Sequence, residues 1–259
     1  MAVRVEVLGS GSKGNCTFVQ GGRSRVLIDA GLSRAEIVRR LHDIGEKAED
    51  LDAVLITHAH SDHVRGVRVL ARKFGLPVAC HSHCWHDAKL DEQDLPEWLP
   101  IEAGRAFTLG DFDIEPFAVP HDSEPTVGFR LRAEGVAVGY CTDLGHVTPV
   151  VRDRLSGVNA LVLESNHDLD MLRDGPYPWV LKQRVGGRHG HLSNEASAGL
   201  LDDLVHSDLA FLALAHLSET NNEAALALSL AEDVLRRHGR EDVRLVAAAQ
   251  DRVSHVGIA

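Results

Sequence analysis

Residues 57 to 63 read THAHSDH, so His58, His60, Asp62 and His63 crowd four ligand-type groups into six positions. Neutral imidazole suits zinc, iron and other transition metals, and a carboxylate can complete or bridge a pair of ions. Four such groups are too many for one metal with an open position, which points to two metals dividing the ligands. The plain alternatives are a helix-capping Asp62 and surface histidines, in a chain that holds 16 of them. Against these stand further candidates, each just after a strand-like run: Asp29 in RVLID, His121 in FAVPHD, Asp143 in GYCTD and His216 in LALAH.

The elements around these residues must deliver them to one place. AVLIT (53–57) reads as a buried strand. An extended run into His58-x-His60 sets both imidazoles on one side, because strand side chains repeat every two residues. Asp62 and His63 then fall at the turn into a helix over 64–75 that a glycine stops. VRVEVL (3–8) and RVLIDA (25–30) read as strands around a turn-rich SGSKGN loop. Residues 33–45 read as a helix, with Ser33 capping it, Glu36 completing a capping box and Gly45 closing it. PVACHS (77–82) is a short strand, and 85–104 a short helix and loop. Four strand-like runs fill 107–143, ALVLES (160–165) is another, and 168–190 reads as irregular. From 194 onward, helix and strand alternate over 194–205, 209–216, 222–239 and 243–250. Consecutive hairpin strands over 107–143 favour two mixed sheets with helices outside over a simple parallel βα series. No linker or repeat divides residues 1–259, which read as one domain.

The chain is 44% hydrophobic and 25% charged, ordinary for a globular protein. A formal charge of −11 argues against a basic coat for non-specific nucleic-acid binding. It leaves room for a local basic groove, or for a site made positive by metal. No membrane-length apolar run and no signal-peptide pattern stand in the sequence, so a cytoplasmic protein is expected. Four cysteines are too sparse for a disulfide framework, and Cys16 reads as a small buried residue.

The order Asp29, His58-x-His60-x-Asp62-His63, His121, Asp143, His216 resembles the five motifs of the metallo-β-lactamase superfamily. SGSKGN, LIDAGLS, LESNHD, GPYPW, GHLSNEAS and LAHLSETNN further resemble the YycJ/WalJ family, whose members are regarded as metal-dependent 5′ to 3′ DNA exonucleases. The resemblance covers nearly the whole chain. It implies an α+β fold, a four-layer αββα sandwich with a site at one edge of two mixed sheets. It implies two divalent ions, Zn2+ or Mn2+, with His58, His60 and His121 on one, Asp62, His63 and His216 on the other, and Asp143 bridging. Asp29 would orient a ligand histidine through a hydrogen bond. Two such ions, about 3.5–4 Å apart, share a water that becomes a nucleophilic hydroxide near neutral pH. The expected substrate is nucleic acid, DNA with a 5′ end, and the expected role is DNA repair.

Other residues complete this reading. His191 in GHLS is the candidate to protonate the leaving oxygen or hold phosphate, and Asp62 is counted with it as catalytic. Glu164 and His167 of ESNHD are expected to support the site from behind. Lys13, Asn15, Arg188, Ser193 and Asn194 are the candidate substrate contacts, the last two at a helix start whose N–H groups can receive a phosphate oxygen. Lys182, Arg184, Arg188 and His189 make a locally basic lip. CHSHCWH (80–86) tempts a second zinc assignment, but its side chains would diverge between strand and helix. A small-molecule hydrolase acting on a thioester or cyclic phosphodiester, and a non-catalytic metal-binding regulatory module, are the competing readings.

Overall fold

The computed structural model describes residues 3–90, 95–123 and 125–258. Its first sheet contains β1 (Arg4–Gly9), β2 (Cys16–Gly21), β3 (Ser24–Ile28), β4 (Ala53–Leu55), β5 (Val78–Cys80) and β6 (Trp98–Pro100). The second contains β7 (Phe107–Leu109), β8 (Phe112–Val119), β9 (Thr126–Ala133), β10 (Val136–Cys141), β11 (Ala160–Glu164), β12 (Phe211–Ala215) and β13 (Arg244–Ala247). The last strand, β14 (Ser254–Ile258), returns to the first sheet beside β1. The orders are β14-β1-β2-β3-β4-β5-β6 and β13-β12-β11-β10-β9-β8-β7. Strands β3 to β6 run parallel, as do β10 to β13, and the remaining pairs are antiparallel.

Alternation along each strand builds the layers. On β3, Val26 and Ile28 face inward and meet Phe112, Phe129, Tyr140 and Val162 of the second sheet, while Leu27 points outward. Outside the first sheet, Phe18, Leu27 and Val54 are covered by helices α1 (Arg34–Asp43), α2 (Ser61–Val64), α3 (Val67–Phe74) and α4 (Ser82–Asp87), through Ile37, Leu70 and Trp85. Outside the second sheet, Leu161, Leu163 and Leu212 pack under α5 (Pro149–Leu155), α8 (Asn194–Leu204) and α9 (Ala224–Arg237). Two further helices, α6 (Leu169–Asp174) and α7 (Trp179–Val185), precede α8. The architecture is the expected four-layer αββα sandwich. Truncating a fully buried ring such as Phe129 to alanine costs about 3–5 kcal/mol. Among the described residues, no helix is long and apolar enough to cross a membrane.

Several local expectations change. The single helix over 64–75 is two helices, interrupted at Arg65–Gly66. Gly66 donates its N–H to Ala30 O at 2.8 Å, and a Cβ there would lie 2.1 Å from Leu32 O, so the break lets the chain press on the loop after β3. The supposedly irregular 168–190 holds α6, capped by the Asp168 carboxylate, and α7, whose residues are all at least partly exposed. Strands β2 and β14 and helix α5 have no counterpart in the sequence reading. Within 85–104 the structure adds β6, while 91–94 lie outside the described residues. Ser33 caps α1 by accepting from Glu36 N–H, but the Glu36 carboxylate turns to Arg39 and Arg40 instead of closing the box.

The layers matter for function because β3, β4, β8, β10, β11 and β12 end where the polar residues cluster. Asp29, His58, His121, Asp143, Ser165 and His216 each follow within three residues of a strand end.

Candidate metal centre

The Asp29 carboxylate organises the first sheet's contribution. It accepts from Thr57 N–H at 2.9 Å and from the Thr57 hydroxyl at 3.0 Å, and its Oδ2 lies 2.7 Å from His63 Nδ1. Nδ1 of His63 donates there, so a neutral His63 presents an unprotonated Nε2 on its far side. Gly31 allows this packing: a Cβ there would lie 1.6 Å from the Asp62 carbonyl oxygen. The expected helix-cap alternative for Asp62 is not met, since His60 is the N-cap of α2 and Asp62 lies in its first turn.

The second sheet contributes from separate strands. His121 donates Nδ1–H to Gly190 O at 3.0 Å, which turns its Nε2 toward His60 and the cluster. His216 Nδ1 sits 3.3 Å from Glu164 Oε1, and its Nε2 is 3.4 Å from Asp62 Oδ2. Asp143 stands centrally, with His63, His121 and His216 Nε2 atoms 3.3, 3.6 and 3.7 Å from its oxygens. Asp29, Asp143 and His216 all hold left-handed backbone, at φ 62°, 57° and 56°. Such a conformation costs a non-glycine residue roughly 1–3 kcal/mol and persists only where surrounding structure imposes it.

Donor atoms come within 4.8 Å of one another in four overlapping groups: His58, His60 and His121; Asp62, His63 and His216; His58, His63 and Asp143; and Asp143, Glu164, His191 and His216. His58 Nε2 and Asp143 Oδ2 are buried without a hydrogen-bond partner. Leaving such atoms unsatisfied costs about 1–3 kcal/mol each. The lone pairs of His63 Nε2 and Asp143 Oδ2 also face each other at 3.3 Å. A proton or a cation must lie between them, and the donor set fits a divalent metal. Without metal, burial pulls the His63 pKa down, but Asp143 and Asp29 outweigh it and raise the group to about 10. His216 is raised in the same way, chiefly by Asp143, while burial holds His58 well below its ordinary value. Burial pushes the Asp143 carboxyl up, and the surrounding imidazoles outweigh it, so Asp143 stays ionised.

The comparisons agree with this geometry. Residues 24–212 match the family described as "Beta-lactamase superfamily domain". The chain belongs to the β-lactamase superfamily. It is 38% identical over 232 residues to exodeoxyribonuclease WalJ of Streptococcus pneumoniae, covering 86% of this chain and 85% of that one. It is 34% identical over 241 residues to exodeoxyribonuclease YycJ of Bacillus anthracis, covering 92% and 91%. Among solved structures, the metallo-β-lactamase fold protein YhfI from Bacillus subtilis superposes with a TM-score of 0.75 at 18% identity, over 98% of this chain and 99% of that one. Zn2+-bound PqqB from Methylobacterium extorquens superposes at 0.69 with 18% identity, over 99% and 100%. The protein is a metal-dependent hydrolase of this superfamily with the metallo-β-lactamase fold, in the WalJ/YycJ branch.

The other expected residues divide. His191 stands beside the cluster, stacked on His216 with ring centroids 5.1 Å apart, and its Nδ1 lies 2.8 Å from Glu164 Oε1. Glu164 Oε2 accepts from the backbone N–H groups of Leu144 and Leu192. Burial raises the Glu164 pKa, but His191 and His216 prevail and bring it to about 2. From the same ESNHD segment, Asn166 rather than His167 touches a cluster histidine: its amide donates to His216 O at 2.7 Å. His167 contacts Asn166 and pairs its backbone with Ser193.

The expected substrate contacts are largely corrected. Asn15 is only 1% exposed and spends its amide on the SGSKGN turn and toward Asp62 and His63, so it braces the cluster from inside. Ser193 is buried and caps α8 through Ala196 N–H. Asn194 is buried, bonded to Ser165 and Asn222, and its own N–H is taken by His167 O, so this helix start does not offer its first donor to phosphate. The Lys13 ammonium is on the surface, 2.5 Å from Glu219. Arg188 lies against His146 rather than at the cluster. The lip residue that reaches the site is Arg184, 2.5 Å from Asp122 Oδ2, while Asp122 Oδ1 sits 3.3 Å from His121 Nε2. Together with Leu181 and Ser12 they wall a cavity of about 190 Å³ over the cluster. Asp122 is visible in the sequence as the residue after His121 in PHD, where nothing local distinguishes it from a solvated loop carboxylate. The CHSHCWH metal reading has no counterpart, since each group of metal-capable side chains among the described residues includes members of the central cluster. Cys80 and Cys84 are free and buried; the neighbouring Cys80 thiol and burial push the Cys84 thiol far up, away from thiolate.

Proposed function

We propose that the protein is a dinuclear metal-dependent phosphodiesterase, a 5′ to 3′ DNA exonuclease acting in DNA repair in the cytoplasm, with all of its machinery in one domain. His58, His60 and His121 would hold one Zn2+ or Mn2+, Asp62, His63 and His216 the other, and Asp143 would join them. When bound, such ions lower the pKa of water and offset charge on the phosphate. The relatives' names support a nucleic-acid substrate. The observation that carries the reading is the form of the pocket: about 190 Å³ over the donor cluster, with one arginine at its wall. Sites that engulf a small molecule run to roughly 300–1,000 Å³. The pocket directly over the donors suits one phosphodiester, with the rest of a longer chain lying outside it.

The protein's own groups have distinct tasks. Arg184, now paired with Asp122, can turn its guanidinium to a phosphate oxygen. Glu164 fixes His191 through Nδ1, so Nε2 is the atom that delivers a proton to the departing sugar oxygen. Asn15, Asp29 and Asn166 hold the donors still. Asp62 combines a place in the donor set with a place in the cavity wall. The test is degradation of end-labelled single- and double-stranded DNA and RNA with each metal supplied. Stepwise loss from 5′-phosphorylated DNA, absent in His58→Ala, supports the proposal. Intact nucleic acid alongside cleavage of a small ester would overturn it.

A further inference from the structure

A second cavity, of about 630 Å³, is lined in part by segments that also carry the metal centre, and the reaction leaves it unused. Its floor is apolar, formed by Ala118, Val119, Pro120, Pro125 and Val150, and four imidazoles line it. His81 and His83 form one pair, with centroids 5.2 Å apart; His146 and His189 form the other, at 6.4 Å. Three chain segments serve both cavities. Pro120 precedes His121, His146 follows Asp143 by three residues, and His189 immediately precedes Gly190, which lines the catalytic pocket beside His191. Pro120 O also accepts from Gly145 N–H, tying two of these segments together. The groove and the catalytic pocket are thus built from neighbouring stretches of the same three segments.

The chemistry of the lining selects the occupant. The chain has 38 acidic residues, yet no described lining residue of this groove is Asp or Glu. The imidazoles do not form a metal site: each metal-capable group among the described residues includes members of the centre already described. His146 is held in place by Arg188, with Nδ1 2.8 Å from Arg188 O and Nε2 3.1 Å from Arg188 Nη2. That contact also brings the Arg188 guanidinium beside this groove. Flat aromatic rings over an apolar floor, with a cation alongside, match the face of a nucleobase and its backbone.

We propose that this groove is a base-stacking subsite for unpaired nucleobases of a single strand, next to the phosphate held at the metal centre. The inference rests on the nuclease reading and extends it. The test is fluorescence anisotropy with metal-loaded full-length protein and a cleavage-resistant, phosphorothioate-linked hexathymidylate. An abasic hexamer of the same length and charge is the control. Wild type should bind the base-bearing strand about tenfold or more tightly over the abasic one. Ala118→Trp fills the groove from an exposed strand position and should erase that preference, as should the double variant His146→Ala with His189→Ala. Equal binding of the two strands by wild type overturns the proposal, and so does a preference that survives in both variants. Normal nuclease activity with no base preference sinks the groove alone. Base preference with no cleavage of any nucleic acid keeps the groove and sinks the nuclease reading.

Discussion

The two sheets furnish the metal centre in opposite ways. The first supplies His58, His60, Asp62 and His63 from one run of six residues after β4, braced by Asp29 from the adjoining β3. The second supplies His121, Asp143 and His216 one at a time, after β8, β10 and β12. The local run gets its shape from a tight turn and a short helix. The scattered set gets its shape from strand register: Cys141 pairs with Leu163, and Leu163 with Leu214, so Asp143 and His216 emerge at the same edge. A site shared across the seam should fail from either side, although only one side is visible as a motif.

The largest effect should come from removing a donor on either half. His58→Ala and Asp143→Ala should each lose metal-dependent hydrolysis and lower the metal content measured by elemental analysis. If Asp143→Ala kept both, the second sheet would be support and not part of the centre. Next, His191→Ala should retain metal but lower kcat by about 10²–10⁴-fold, the range for a lost general acid. Loss of metal instead would move His191 into the donor set. Smaller again is Asp29→Asn, which keeps a hydrogen-bonding group at His63 but removes its charge. Metal affinity should fall by about 10–100-fold in a chelator competition. An unchanged affinity would mean that the turn alone positions His63.

The mildest test is proton release. His63 without metal has a pKa raised to about 10, so at neutral pH it carries a proton that the ion must displace. Metal uptake should therefore release protons at pH 7, and apparent affinity should climb with pH until His63 deprotonates by itself near 10. Calorimetry in buffers of different ionisation enthalpy would measure this. Zero release at pH 7 would contradict the electrostatic reading of the Asp29–His63–Asp143 line.

Legibility followed the same division. THAHSDH announced itself because ligand types were dense in sequence, and strand ends marked His121, Asp143 and His216 because each polar residue broke an apolar run. Asn15, Ser193 and Asn194 misled, because polar residues in turn-rich segments look alike whether they face solvent or brace the interior. Strand β2 stayed hidden behind a glycine-rich turn, and α7 behind its prolines and the lack of any buried face. Asp122 and Arg184 are 62 residues apart and meet only because α7 lies over the end of β8.

What the residues alone determined is the kind of chemistry: histidine and aspartate gathered at strand ends carry the lone pairs that metal binding needs, and alternating apolar runs must bury one face. What only the folded chain decided is which donors share an ion-sized space, which nitrogen of each ring is free, and which polar groups have already spent their hydrogen bonds. Donor strength is a property of one side chain, whereas its direction and its vacancy depend on neighbours that β-pairing and layer packing bring from more than a hundred residues away.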